Sequence, residues 1–166
     1  MNDSAPVAFG WARAAGAGLT FRHATDADLP FLARVYASTR EEELAATPWS
    51  EAQKAQFLDM QFRAQHTDYR RNYPEADWLV TMHGGEEIGR LYLGRWPDDH
   101  RILDIALLPQ HRSKGFGTAL LRDLLDEAAD GVEQRARQQH QRAGGGVHAL
   151  QVQRCVERRV EPRGRR

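Results

Sequence analysis

The stretch from 101 to 129 constrains the fold more strongly than any other part of the chain. Residues 101–108 form a short apolar run, which is typical of a buried strand, and Pro109 cannot continue the hydrogen-bond ladder of a sheet. From Thr118 the apolar residues recur at steps of three and four, as they do on one face of a helix. The sequence therefore predicts a strand, a tight loop and a helix, and Gly131 predicts where that helix ends.

The loop between this strand and this helix has the composition of an anion-binding site. Gly115 and Gly117 lack the side chains that would keep a ligand away from the backbone. Arg112 and Lys114 add positive charge, and the first N–H groups of a helix have no internal acceptor and carry partial positive charge. The loop is therefore suited to a phosphate, although its spacing matches neither a P-loop nor the three-glycine fingerprint of a dinucleotide fold.

The pattern Arg112-x-x-Gly-x-Gly, placed after an apolar strand that ends in proline, resembles the acyl-CoA signature of the GNAT N-acetyltransferase superfamily, (Q/R)-x-x-G-x-(G/A). The resemblance covers the strand, the loop and the helix. It implies that acetyl-CoA is the co-substrate, with its pyrophosphate at the loop and its pantetheine arm paired with the strand. The residues it assigns to acetyl-CoA are Ile105, Ala106, Leu107, Leu108, Arg112, Ser113, Lys114, Gly115, Phe116, Gly117 and Thr118. The alternative is an ordinary strand-to-helix turn that contains two glycines.

The order of the other predicted elements agrees with this resemblance. Capping boxes open two helices, at Thr25 and at Ser50, and Gly84-Gly85 predicts a hairpin turn. Residues 40–47 fit either a loop or a helix. The fold expected is α/β (α+β), with a mixed, mostly antiparallel sheet flanked by helices. Strands are predicted over 19–24, 77–83, 87–95 and 101–108, and helices from 25 to about 39, from 51 to 71 and from 118.

The two ends of the chain do not fit the same pattern. Residues 1–18 are small and apolar but make a poor signal peptide, so they are predicted to be a disordered leader before a domain over 19–130. Residues 131–166 are rich in Gln, Arg and Gly, and the helix and final strands expected of the family are not recognisable there. This tail is either a divergent, disordered extension or the product of a reading-frame shift near Asp130. Its composition favours the frame shift.

Composition excludes several classes of protein. The hydrophobic fraction is 41%, the mean hydropathy is −0.66, and no run is long and apolar enough to cross a membrane. A single cysteine, Cys155, allows no internal disulfide, which favours a cytoplasmic protein, and the seven histidines lack ligand spacing, so no metal is expected. The net charge of +0 hides an uneven distribution, because residues 130–166 contain nine arginines and four acids, or +5, which leaves −5 for residues 1–129.

Thioester aminolysis needs a neutral amine, a polarised carbonyl and a proton for the leaving thiolate. Asp104 is the candidate base, acting through water, because it is an acid within an otherwise apolar strand. Its alternative role is to face solvent or to pair with an arginine. No catalytic acid can be assigned, because the family's tyrosine lies on the missing helix and neither Tyr69 nor Tyr92 stands at a matching position.

The acceptor is expected over the first two helices of the resembling fold. The acidic run that contains Glu41 and Glu42 could attract a cationic amine, while Gln61, Gln65 and Tyr69 could form hydrogen bonds with it. The alternative is a solvated charge run beside a polar helix face.

Two functions of different classes follow from these features. The first is an acetyl-CoA-dependent N-acyltransferase acting on a primary amine of a small molecule or a protein, with a homodimer as an open possibility. The second is a catalytically impaired CoA-binding protein, or a protein whose basic arm binds nucleic acid or an acidic partner. Nucleic acid is the weaker expectation, because residues 131–166 contain no aromatic side chain to stack on bases.

Overall fold

The computed structural model describes residues 5–96 and 99–142. Within these residues there are five strands and five α-helices, in an order that agrees with the prediction from residue 19 onward. The strands are β1 (Pro6–Val7), β2 (Leu19–His23), β3 (Asp77–His83), β4 (Glu86–Trp96) and β5 (Asp99–Leu107); the helices are α1 (Ala12–Gly16), α2 (Leu29–Ser38), α3 (Glu41–Ala45), α4 (Glu51–Asn72) and α5 (Phe116–Arg142).

The five strands form one antiparallel sheet in the order β1-β2-β3-β4-β5. Gly84 and Gly85 turn β3 into β4 with φ angles of 59° and 83°, a left-handed conformation that glycine adopts at little cost. The predicted hairpin turn is thus confirmed, and so is the α/β class with an antiparallel sheet flanked by helices.

Helices cover both faces of this sheet. Successive residues of a strand point to opposite faces, so neighbouring residues of the central strands pack against different helices. Leu79 packs on one face with side chains from α1 and α5, whereas Val80 packs on the other with side chains from α2 and α4. Both are fully buried, at 0% exposed. The central strands therefore read as continuous apolar runs, and the polar residues within them stand out.

The helix starts follow the local signals in the sequence. Both predicted capping boxes are present: Thr25 pairs with Asp28 at a 3-10 turn (Asp26–Asp28) that precedes α2, and Ser50 pairs with Gln53 at the start of α4. The segment 40–47, which fitted either a loop or a helix, contains the short helix α3.

The prediction of a disordered leader is wrong for residues 5–18. Strand β1 pairs with β2, and α1 packs beneath the sheet with Trp11 3% and Ala14 0% exposed. The physical reason is a set of contacts from the distant helix α5. The Trp11 indole N–H donates to Glu127 at 2.6 Å, and the carboxylate of Asp123 accepts from the amides of Arg13 at 3.3 Å and Ala14 at 2.8 Å.

Asp123 thus caps α1, which has no side-chain cap of its own. Burial acts to raise the pKa of Asp123, but the hydrogen bonds from the Ala14 and Arg13 amides and from the Arg13 guanidinium outweigh it and hold the pKa below its usual range. A carboxylate at this position also complements the helix dipole.

Replacing Asp123 by alanine is expected to lower the free energy of unfolding by about 1–2 kcal/mol, the usual cost of losing a helix cap. Because the folded-state pKa of Asp123 is depressed, its contribution is present at neutral pH and is lost as the pH falls below about 4. Urea unfolding at pH 7 and at pH 3 measures both effects.

The control is Asp126→Ala, which removes only the exposed partner of Arg13 and should cost much less, because water screens an exposed ion pair. Equal losses in the two variants at pH 7 would contradict the role of Asp123 as a cap.

The C-terminal side of the domain also departs from expectation. Helix α5 begins at Phe116 instead of Thr118, and it continues through Gly131, so the predicted stop is wrong. One glycine costs a helix only about 1 kcal/mol, and good helix formers lie close to it on both sides, at 128–129 and 133–135. Contacts divide the chain after Asp130, near the predicted boundary. Residues 131–142 are helical, against the expected disorder, and the rest of the predicted tail lies outside the described residues.

Candidate acyl-CoA and acceptor site

A pocket of about 500 Å³ lies where β5 runs through the loop into α5. Most of the residues assigned to acetyl-CoA line it, together with two that the sequence analysis did not identify, Thr39 and Leu121. The full lining is Thr39, Ile105, Ala106, Leu107, Arg112, Ser113, Gly115, Gly117, Thr118 and Leu121.

Three of the assigned residues do not line this pocket. Leu108 is 6% exposed and packs in the core between α2, α4 and the sheet. Phe116 is 8% exposed and packs beneath α5, where its ring lies 4.7 Å from that of His83. Lys114 is exposed to solvent. The apolar spacing around Leu108 and Phe116 therefore reflects the core, and the backbone N–H and C=O of Leu108 are bonded to Ile88 and His111.

The backbone of the loop explains why glycine occurs in it. Gly115 has a φ of 83°, and Ser113 has a φ of 59°, which is uncommon for a residue with a side chain and is often found at binding sites. Gly117 has an ordinary φ, and a Cβ placed on it would meet no heavy atom within 4 Å. Gly115 thus serves the turn, whereas Gly117 leaves space open beside the first turn of α5.

Arg112 is exposed to solvent, but it forms hydrogen bonds with acceptors of the protein. Its Nε donates to the Leu107 carbonyl at 2.7 Å, and its Nη2 donates to the Ser38 carbonyl at 3.1 Å and hydroxyl at 2.9 Å. The guanidinium adds positive charge near the loop, as predicted, but these donors are occupied by acceptors of the protein.

Strand β5 is well placed to pair with an extended ligand. It forms a ladder with β4 along one edge, and none of the strands in the described residues pairs with its other edge. Unpaired N–H and C=O groups on such an edge can form main-chain hydrogen bonds with a bound molecule. The ladder also contains a bulge, because Tyr92 lies opposite Asp104 while Leu93 lies opposite Ile102, which leaves Leu103 as the extra residue.

Asp104, the candidate base, pairs with a buried arginine on the neighbouring strand. Arg90 donates to it through Nη2 at 2.7 Å and Nε at 3.4 Å, and to the Gln65 carbonyl at 3.3 Å. Arg90 is 2% exposed and lies between the rings of Tyr36 and Tyr92, at 5.7 and 5.2 Å. The alternative given above, an ion pair with an arginine, is the arrangement that the structure shows.

Two tyrosines border this ion pair. The Tyr69 hydroxyl donates to the carbonyl of Leu103, the bulged residue, at 3.4 Å. Burial raises the pKa of Tyr69, and the nearby Asp104 carboxylate raises it further. Burial raises the pKa of Tyr92 to about 12, against the opposing effect of the Arg90 charge. Both phenols are therefore neutral hydrogen-bond donors at physiological pH.

The structure brings together only some of the residues assigned to the acceptor. Gln65 and Tyr69 lie on α4 beside Arg90 and Asp104. Gln61, also on α4, is exposed, and Glu41 and Glu42 are exposed in the first turn of α3. The carboxylates fit the alternative of a solvated charge run.

Arg90 is the residue of this site that the sequence analysis missed. The rule that singled out Asp104, a charged residue within an apolar strand, applies equally to Arg90 between Ile88 and Leu91. Its Nη1 group is buried and has no hydrogen-bond partner among the described residues. A buried donor of this kind usually meets a water molecule or a ligand atom.

Within the described residues, no group of three or more His, Cys, Asp or Glu is arranged to hold a metal ion. None of the helices described is long and apolar enough to cross a membrane. Cys155 and most of the arginines of the tail lie outside the described residues.

The comparisons with known proteins point to one family. A model of the acetyltransferase (GNAT) family matches residues 36–145. Similar solved structures include the PaiA N-acetyltransferase of Thermoplasma acidophilum with coenzyme A, at 16% identity and a TM-score of 0.48 over 68% of this chain and 72% of that one.

Two others are a ribosomal-protein-alanine N-acetyltransferase of Brucella melitensis and a spermidine N-acetyltransferase of Vibrio cholerae with CoA and spermine. The first has 26% identity and a TM-score of 0.41 over 66% of this chain and 67% of that one. The second has 19% identity and a TM-score of 0.43 over 68% of this chain and 64% of that one. None of the curated proteins matches the sequence significantly.

Proposed function

The chain belongs to the acetyltransferase (GNAT) family, and we propose that it transfers an acetyl group from acetyl-CoA to a primary amine of a small molecule or a protein. The observation that carries the proposal is the pocket at the end of β5. It combines the open space at Gly117, the left-handed turn at Gly115, the first turn of a helix and a strand edge that is unpaired within the part of the chain that the structure describes.

These features suit the parts of acetyl-CoA. Backbone N–H groups in the first turn of α5 would bind the pyrophosphate, since they have no acceptor within the helix. The edge of β5 at Ile105 and Ala106, which no strand of the described residues pairs with, would form hydrogen bonds with the amides of the pantetheine arm. That arrangement would direct the thioester along β5 towards Asp104.

On the acceptor side, the proposal assigns the amine to the surface bordered by Gln65, Tyr69 and Asp104. The Asp104 carboxylate would take a proton from the amine through water, with Arg90 fixing its orientation. Gln65 and Tyr69 would bind and orient the acceptor. Glu41 and Glu42, being exposed on α3, would act at most by attracting a cationic amine over a longer distance.

Thermal unfolding with acetyl-CoA tests the proposal most directly. At a ligand concentration 100 times the dissociation constant, binding adds about 2.7 kcal/mol to the free energy of unfolding. In a chain of this size that raises the Tm by about 5–10 °C. Thiol release across a panel of primary amines would then identify the acceptor.

Pantetheine without phosphates serves as the control ligand and should raise the Tm much less. The absence of any Tm shift with acetyl-CoA at millimolar concentration would overturn the proposed co-substrate site.

A further inference from the structure

The guanidinium of Arg112 connects two walls of the acyl-CoA pocket. Its hydrogen bond to the Leu107 carbonyl holds the end of β5, and its two hydrogen bonds to Ser38 hold the last residue of α2. Leu107 itself lines the pocket, and so does Thr39, which directly follows Ser38. One side chain therefore bridges these two walls, in addition to the core packing of α2 against Ala106 and Leu108.

The acceptors on the α2 side are held firmly in place. Ser38 is 7% exposed, and its own hydroxyl donates to the Val35 carbonyl at 2.8 Å. The Ser38 carbonyl belongs to the last turn of a helix, where carbonyls lack an intrahelical donor. A cation at a helix C-terminus is also favoured by the helix dipole. Arg112 thus satisfies a helix end that would otherwise need water.

The nitrogens that Arg112 uses are informative. Nε and Nη2 form one of the two edges through which arginine binds a phosphate or carboxylate with paired hydrogen bonds. Here that edge is occupied by three acceptors of the protein. An ion pair with the pyrophosphate through this edge would release both walls of the pocket.

We propose that Arg112 is a positioning residue, which holds the ends of α2 and β5 at the spacing that the acyl-pantetheine arm requires, and that it does not act as an ion-pair partner of the phosphates. The identity of the ligand rests on the proposed function.

The kinetic test compares acetyl-CoA with S-acetylpantetheine, a thioester that carries the same arm but no pyrophosphate. Arg112→Gln and Arg112→Lys are each expected to lower kcat/KM about tenfold. The factor should be the same with both thioesters, because both carry the acyl-pantetheine arm that binds between the ends of α2 and β5. Lysine should not rescue activity, since its ammonium is a single point charge and lacks the planar set of donors with which arginine contacts both walls. Ser38→Ala should cause a smaller loss that does not add to that of Arg112→Gln.

An ion pair with the phosphates predicts a different pattern. Activity with acetyl-CoA alone would fall, S-acetylpantetheine would be unaffected, and Arg112→Lys would retain most of the activity. That pattern would overturn the proposal. Matched Tm values for the variants and the parent protein would show that the losses do not arise from unfolding.

A second measurement needs no ligand. The Thr39 and Arg40 amides bond to the carbonyls of Tyr36 and Ala37 at 3.0 and 2.9 Å, at the end of α2 that Arg112 holds. Their hydrogen exchange should become at least about tenfold faster in Arg112→Gln. Unchanged exchange would overturn the positioning role of Arg112, whether or not the parent protein binds acetyl-CoA. Failure of the parent protein to bind acetyl-CoA would instead contradict the proposed function.

Discussion

Replacing Gly117 by glutamate is expected to abolish binding of acetyl-CoA while leaving the domain folded. A side chain at this position would enter the open space beside the first turn of α5, and its charge would repel the pyrophosphate. Each lost charge-assisted hydrogen bond costs about 1.5–3 kcal/mol. Two such losses would weaken binding by more than about 100-fold. Isothermal titration calorimetry with CoA measures the affinity, and a circular-dichroism melt measures stability.

The Tm should change little, because an acid in the first turn of a helix is favoured by the helix dipole. Gly117→Ala is the control for size, since its Cβ would meet no atom within 4 Å, and it should retain binding. Gly16→Glu is the control for charge at an exposed glycine of α1. Normal CoA binding by Gly117→Glu would place the phosphate site elsewhere.

The second large effect is expected at the buried ion pair. Asp104→Ala should lower the free energy of unfolding by about 3–5 kcal/mol, because Arg90 stays charged and is only 2% exposed. Arg90→Met should cost less, since the Asp104 side chain is 15% exposed and can be hydrated. Replacing both, as Arg90→Met with Asp104→Leu, should recover much of the stability lost in Asp104→Ala. Urea unfolding of the three variants gives the comparison.

The same variants separate structure from catalysis. If Asp104 is the base, the double variant should be folded yet have a kcat about 10²–10⁴ times lower than Arg90→Met, which retains the carboxylate. A double variant with the same kcat as Arg90→Met would show that Asp104 serves only the ion pair. A greater loss of stability in Arg90→Met than in Asp104→Ala would contradict the expectation that the more deeply buried charge is the costlier one to leave unpaired.

Local signals in the sequence predicted the elements of the domain well. The capping boxes at Thr25 and Ser50 and the glycine pair at 84–85 depend on residues a few positions apart, so they can be recognised without the fold. The apolar stripe predicted the helix α5, but two of its leucines, Leu121 and Leu125, are exposed, at 39% and 67%. The prediction that α5 ends at Gly131 was wrong because a single glycine is a weak helix breaker when good helix formers lie near it on both sides.

Non-local features were not predictable in the same way. The bulge at Leu103 and the pairing of Asp104 with Arg90 depend on the register between two strands. That register is fixed by the packing of both faces and has no marker in either strand alone. The pocket-lining role of Thr39 likewise depends on where α2 ends relative to β5. The proposed acyl-CoA loop could be predicted because its chemistry is contained in consecutive residues, whereas the proposed acceptor side is assembled from several elements.

The capping of α1 by Asp123 has a consequence for how the protein is made. The first helix begins at Ala12, but its cap lies 109 positions beyond Ala14. At about 5–20 residues per second, a ribosome needs on the order of 5–20 s to synthesise the intervening chain. Throughout that interval Trp11 and the amides of α1 lack their partners on α5. The N-terminal segment therefore docks late during translation, and any shortened product that ends before Asp123 would expose it to chaperones and proteases.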